Sequence, residues 1–161
     1  MFSKAVHDKM NDQIQAEMYS AYLYLSMAAQ FETQNLPGFA NWMRKQAKEE
    51  LEHGLKFFDF VNERGGAVML KAIEQPPTSF GSPTDVFKAV LTHEQLVTSL
   101  IEGVYEVAVQ EKDYASQIFL NWFVSEQVEE EKHATGILET LKMAGDKGNA
   151  LIMLDRALGQ R

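Results

Sequence analysis

The stretch PGFANWMRKQAKEELEHGLKFFDFVNERGG, residues 37–66, decides the fold. Its apolar residues return every three or four positions, at Phe39, Met43, Phe57 and Phe60, which is the period of a helix with one face turned to a core. Pro37 suits the first helical turn, and Gly65-Gly66 can supply the left-handed cap that ends the helix. Gln46, Glu50 and His53 fall on the same stripe, in the middle of the run. Polar groups at core positions are costly unless something pairs with them. The residues that define the helix therefore also raise the question of what they hold.

Working outward, the same period recurs three more times. From Ser3 to about Asn35 the stripe is Met10, Ile14, Ala21, Tyr24, Ala28 and Phe31, with Glu17 among them. Leu36-Pro37-Gly38 breaks that helix. Residues 67–81 contain Pro76-Pro77 and little periodicity; as an extended connection, at about 3.3 Å per residue, they can span a bundle. Ser82-Pro83-Thr84-Asp85 reads as an N-cap with proline at the first helical position. The third helix runs to about Lys112, with Phe87, Leu91, Glu94, Thr98, Ile101, Tyr105 and Ala108 in line. The fourth runs from Tyr114 to about Ala144 through Leu120, Phe123, Gln127, Glu130, Ala134, Ile137 and Leu141. Gly145 and Gly148 punctuate its end, and Asn149 to Leu158 makes a short terminal helix.

Nothing reads as a strand. The expectation is an all-α fold: a single domain over residues 1–161, built as a four-helix bundle of two short-linked hairpins, one long crossover connection and a short fifth helix. Asn41-Trp42 against Asn121-Trp122 gives a weak internal repeat between the hairpins.

Composition narrows the function. The 161 residues are 45% hydrophobic and 24% charged, an ordinary globular balance. A net charge of −8 without a basic patch argues against nucleic acid and anionic membrane and mildly favours cations. With no cysteine, disulfides, zinc knuckles, iron–sulfur clusters and thiol nucleophiles are excluded. Met1-Phe2-Ser3-Lys4 leads into the first amphipathic pattern without a signal-peptide core, and no apolar run approaches the ~20 residues of a membrane span, so a cytoplasmic protein is expected.

The polar residues of the four stripes form an ordered set. Thirty-two residues separate Glu17 from Glu50, with His53 one turn further; thirty-two separate Glu94 from Gln127, with Glu130 one turn further. Each hairpin thus offers one carboxylate on its first helix and an i, i+3 pair on its second, close to the ligand arrangement of carboxylate-bridged di-iron bundles. Four inward carboxylates cost several kcal/mol each unless protonated or neutralised, and no Lys or Arg occupies the stripes. Two divalent cations cancel four negative charges, with His53 adding a neutral nitrogen. Such oxygen-rich ligation suits Fe(II), Mn(II) or Zn(II) rather than copper.

Three readings stay open on the residues alone. Tyr24, two turns from Glu17, either serves the centre by hydrogen bonding or electron donation, or is a satisfied core tyrosine. Glu49, Glu126 and Glu129 are either a solvated face or a third cation site. Glu130-x-x-His133 repeats Glu50-x-x-His53, but its register would place Trp122, Glu126 and Thr140 in the core, poorer than Leu120, Phe123, Ala134 and Leu141. His133 is therefore read as lying outside the ligand set.

Asn11-Asp12-Gln13 with Glu17, the run Tyr19 to Leu25, Glu49-Glu50-x-x-His53, Glu63-Arg64-Gly65-Gly66 and the run Ser125 to Glu131 make the chain resemble the non-haem ferritins of bacteria and archaea along essentially its whole length. The resemblance implies a ferritin-like bundle whose ferroxidase centre holds one iron by Glu17, Glu50 and His53. Glu50 would bridge to a second iron held by Glu94 and Glu130, with Gln127 on the oxygen-binding side and Tyr24 beside the centre. It implies a third iron site at Glu49, Glu126 and Glu129 together with Glu130, and a homo-oligomeric shell, of twenty-four chains, to which the terminal helix contributes. The activity implied is oxidation of Fe(II) by oxygen or peroxide and storage as a ferric mineral. Bacterioferritins fit less well, because Leu51 stands where their haem-ligating methionine does; no haem is expected. Rubrerythrins need a cysteine site, and the DNA-protective mini-ferritins lack the intrasubunit set. A di-iron oxidase or peroxidase without storage is the alternative.

Overall fold

A computed structural model describes residues 2–161, leaving only Met1 of the N-terminal tetrapeptide outside the described residues. Five helices follow in chain order: α1 Lys4–Thr33, α2 Pro37–Glu63, α3 Pro83–Gln110, α4 Tyr114–Ala144 and α5 Asn149–Leu158. No strand occurs among the described residues. The expected boundaries hold to within two residues, because the stop signals act locally. Ser3 accepts from the Val6 amide at the start of α1. Ser82 and Asp85 form a reciprocal capping box on α3, and Asp113 caps α4. Gly65 takes the left-handed φ of 72° just past α2.

The start of α2 lacks such a local solution. Leu36 offers no capping side chain; instead Asp155 of α5 accepts from the Phe39 amide at 2.9 Å. A cap of this kind contributes about 1 kcal/mol, and here it also ties α5 onto α2. A Cβ on Gly38 would lie 1.6 Å from the Asp155 carbonyl oxygen, so glycine is required for the approach.

α1 packs chiefly on α2 and α3 on α4, giving the two hairpins, with α1 against α3 between them. Residues 64–82 are the crossover, and α1 holds them along its length. Asn11 accepts from the Met69 amide at 2.7 Å and Gln15 donates to Ala72; further along, Ser26 donates to Pro77 and Gln30 accepts from the Phe80 amide. From Asn11 to Gln30 this is a rise of roughly 29 Å. At the opposite end from the α1–α2 turn, Arg64 forks onto Asp113 at 2.9 and 3.1 Å, locking the end of α2 to the start of α4.

The core is divided in two. One cluster holds Phe31, Phe39, Met43, Phe87 and Leu141; the other holds Met10, Ile14, Phe57, Ile101, Leu120 and Phe123. Between them lies a buried polar layer of Glu17, Gln46, Glu50, His53, Glu94, Gln127 and Glu130. Each fully buried phenylalanine contributes about 2–3 kcal/mol, and it is these two apolar blocks that let the bundle carry a layer costing several kcal/mol per unpaired charge. In α4 the buried position beyond Ala134 is Leu138, with Ile137 only half-buried, a slight rotation from the expected stripe.

Candidate metal centre

α1 and α2 bring Glu17, Glu50 and His53 together: one ligand atom from each lies within 4.8 Å of the others, and all three are buried. Gly54 eases this approach, since a Cβ there would meet the Glu17 Cβ at 3.3 Å and the flexible end of Met18 at 2.8 Å. His53 Nδ1 sits 3.6 Å from a Glu50 oxygen, and its ring is edged by Trp122 and Phe123. Gln13, one turn before Glu17 on α1, donates to Glu17 Oε1 at 2.7 Å. The other oxygen, Glu17 Oε2, is buried with no hydrogen-bond partner among the described residues.

α3 and α4 supply the other half. Glu94 accepts from the Tyr24 hydroxyl, and Gln127 Nε2 donates to Glu94 Oε2 at 3.2 Å. Gln46 joins the halves: its amide nitrogen donates to Glu130 Oε2 at 2.6 Å and to Glu50 Oε1 at 3.3 Å. Thr98, beside Gln127, donates to Glu131 at 2.6 Å.

Burial dominates the electrostatics. It pushes the Glu17 and Glu50 carboxyls well above the ordinary carboxylate range, and their neighbouring carboxylates push them further. Glu94 is raised by burial against the opposing hydrogen bonds of Tyr24 and Gln127. Burial, reinforced by Glu94, lifts Glu130 to about 7. Burial and the Glu94 charge raise the Tyr24 hydroxyl well above 10, so it stays a donor. Next to it, His93 is lowered by burial to about 4 and meets the Ser20 hydroxyl at 2.8 Å, a neutral ring that edges Tyr24. Among the described residues, no Lys or Arg pairs with any of the four buried carboxylates. An orphaned oxygen and four carboxylates without a cation match a donor set for divalent metal.

The remaining sequence candidates are dispersed. Glu126 is half-buried with an oxygen 4.0 Å from His53 Nε2. Glu129 is exposed. Glu49 is half-buried and paired with Arg161 at 2.5 Å. His133 is exposed, away from the buried layer. Trp122, the repeat partner of buried Trp42, is exposed and carries the Lys56 ammonium on its ring. Sequence reasoning missed Gln13 and the bridging role of Gln46, although their i, i+4 spacing to Glu17 and Glu50 was a usable signal. Arg161 had no such signal.

Fold and polar layer together define a carboxylate-rich four-helix bundle of the kind that holds metal inside one subunit. A family model described as Ferritin-like domain matches residues 7–144, and the chain belongs to the ferritin family. It is 44% identical to a bacterial non-heme ferritin of Bacteroides fragilis over the whole of both chains. It is 40% identical to one of Staphylococcus aureus, over all of this chain and 97% of the other. An open-pore ferritin from Archaeoglobus fulgidus superposes with a TM-score of 0.98 at 50% identity, covering all of this chain and 99% of that one. A form of that ferritin engineered to be closed superposes equally well. These matches agree with the resemblance drawn from the motifs.

Proposed function

We propose that this chain is an iron-storage ferritin with ferroxidase activity, whose substrate is Fe(II) bound in pairs at the buried polar layer. The observation that carries the reading is the orphaned Glu17 oxygen among four buried carboxylates that no Lys or Arg of the described residues pairs with. Glu17, Glu50 and His53 hold one iron; Glu94 and Glu130 hold the second, with Glu50 between them. Gln127 lies on the oxygen side, and Tyr24 fixes Glu94 by its hydrogen bond. Two Fe(II) each give up one electron, and oxygen accepts both with two protons as hydrogen peroxide; peroxide can replace oxygen as the acceptor. Carboxylates exchange terminal for bridging coordination at little cost, so Fe(III) is passed on and hydrolysed to mineral. Glu49, Glu126 and Glu129, with Glu130, form a third, weaker iron site.

A cavity of about 230 Å³ reaches Gln127 from the α3–α4 side, lined also by Thr98, Ile101, Glu102 and Glu131. It is below the usual range for an organic ligand and carries two carboxylates, which suits a hydrated cation or oxygen better than an apolar substrate. That weighs against the rival oxidase or peroxidase. Exposed Tyr22, Leu25 and Leu51 on the outer α1–α2 face form an apolar surface of the kind that contacts another copy of the chain. No helix among the described residues is long and apolar enough to cross a membrane. The proposed assembly is a cytoplasmic shell of twenty-four copies.

The test is size-exclusion with an iron count after aerobic addition of about a hundred Fe(II) per chain. Iron eluting with a particle of many chains, far above three per chain, supports storage. Iron limited to two or three per chain on a monomer or dimer overturns it.

A further inference from the structure

Arg161 lies beyond α5, yet its guanidinium reaches the edge of the polar layer. One nitrogen donates to Glu49 Oε2 at 2.5 Å and another to Gln46 Oε1 at 2.9 Å, while the guanidinium carbon lies 4.8 Å from the centre of the Trp42 ring. Gln46 is fully buried, and its amide nitrogen is the group that faces Glu130 and Glu50. An amide presents an acceptor at one end and donors at the other. By occupying the acceptor end, Arg161 fixes which end turns to the two carboxylates. It also puts a permanent positive charge on Glu49, where a metal cation would otherwise be drawn.

We propose that Arg161 is a positioning residue of the centre: it holds the Gln46 amide toward Glu50 and Glu130 and competes with cations for Glu49. This rests on the metal-centre reading above. Metal bound at the Glu49 side must displace a guanidinium already seated in two hydrogen bonds and stacked on an indole. Such metal is consequently held weakly and released readily, which favours onward transfer over retention.

The experiment is a calorimetric titration of metal-free protein with Zn(II), which binds without being oxidised, on the wild-type chain, Arg161→Ala, Arg161→Lys and the Glu49→Gln/Arg161→Ala double variant. Thermal melts verify that each variant is folded. In Arg161→Ala the weakest Zn(II) per chain should bind roughly tenfold tighter, because a competing charge has gone. Arg161→Lys keeps the charge but loses the two-point fork onto Gln46 and Glu49 and the guanidinium's contact with Trp42, so its affinity should fall between those of wild type and Arg161→Ala. In the double variant the gain should vanish, since no carboxylate remains at Glu49 to exploit it. A wild-type isotherm with two or more sites that Arg161→Ala leaves unchanged overturns this inference alone. A gain that persists in the double variant also overturns it. A wild-type chain that binds no Zn(II) overturns the metal-centre reading and this inference with it.

Discussion

The two halves of the polar layer are made of similar residues but differ in how far the protein already satisfies them. On the α1–α2 side, Glu17 keeps an unpartnered buried oxygen and three ligand atoms stand within 4.8 Å of one another. On the α3–α4 side, Glu94 is held by Tyr24 and Gln127, and Glu130 by Gln46. The first half is preorganised for a cation and penalised without one. The second must exchange the hydrogen bonds of Tyr24, Gln127 and Gln46, where the first gives up only those of Gln13 and Gln46, so its net gain on binding is smaller. On the proposed metal-centre reading, one side captures and the other yields, a useful division in a site whose metal has to move on.

The largest expected effect comes from removing the capturing half. Replacing Glu50 and His53 by Ala should slow aerobic Fe(II) oxidation by roughly a hundredfold or more while the helices stay folded, since the carboxylate proposed to bridge and the imidazole proposed as a ligand both go. Stopped-flow absorbance beside circular dichroism checks this, and unchanged kinetics would sink the site assignment.

Next in size is the pH response of the metal-free protein. Glu130 titrates at about 7 when folded against an ordinary 4.5, so the folded state binds the proton more tightly. The stabilisation is complete below 4.5 and lost as pH rises through about 7, worth about 3 kcal/mol for this group. Glu17 and Glu50, also raised, add in the same direction. Melting of the metal-free chain should therefore fall between pH 5 and pH 8, and saturating Zn(II) should flatten the slope. A metal-free melting temperature that climbs over that interval contradicts the electrostatic account.

Glu17→Gln tests the orphaned oxygen directly. A neutral amide can donate to Glu50, so the metal-free protein should gain about 1–2 kcal/mol at pH 8 while first-site affinity drops by tenfold or more. Denaturant unfolding paired with metal titration reads both. If stability fell instead, the unpartnered oxygen would not be a liability of the metal-free protein.

The smallest effect on metal binding probes the yielding half. Tyr24→Phe removes a hydrogen bond to a buried carboxyl and should cost the metal-free protein about 1–3 kcal/mol. With one fewer bond to displace, the second cation should bind a few-fold tighter. Tighter binding at the first site only would break the contrast between the halves.

Much of this was legible before any tertiary structure. The caps at Ser3, Ser82 and Asp113 and the left-handed Gly65 are local devices, so the helix ends could be read from short windows. The inward placement of Glu17, Glu50, His53, Glu94, Gln127 and Glu130 followed from the 3.6-residue period alone. Periodicity was less exact where side chains are small or helices rotate slightly, which is why Ala21 proved half-buried and Leu138 took the place expected for Ile137.

What the sequence determined by itself, then, was which residues are helical and which face the core, because both are consequences of backbone geometry within a few turns. The pairings inside that core belong to the tertiary structure. Which carboxylates Gln46 serves, which oxygen of Glu17 goes without a partner and which acid Tyr24 meets all depend on the axial offset and rotation between helices. Those are fixed by the packing of both apolar clusters at once. The same holds for Asp155 on the start of α2 and Arg161 on Gln46, contacts between residues 116 and 115 positions apart. No window of sequence carries such a contact, since it exists only once α5 has docked on α2.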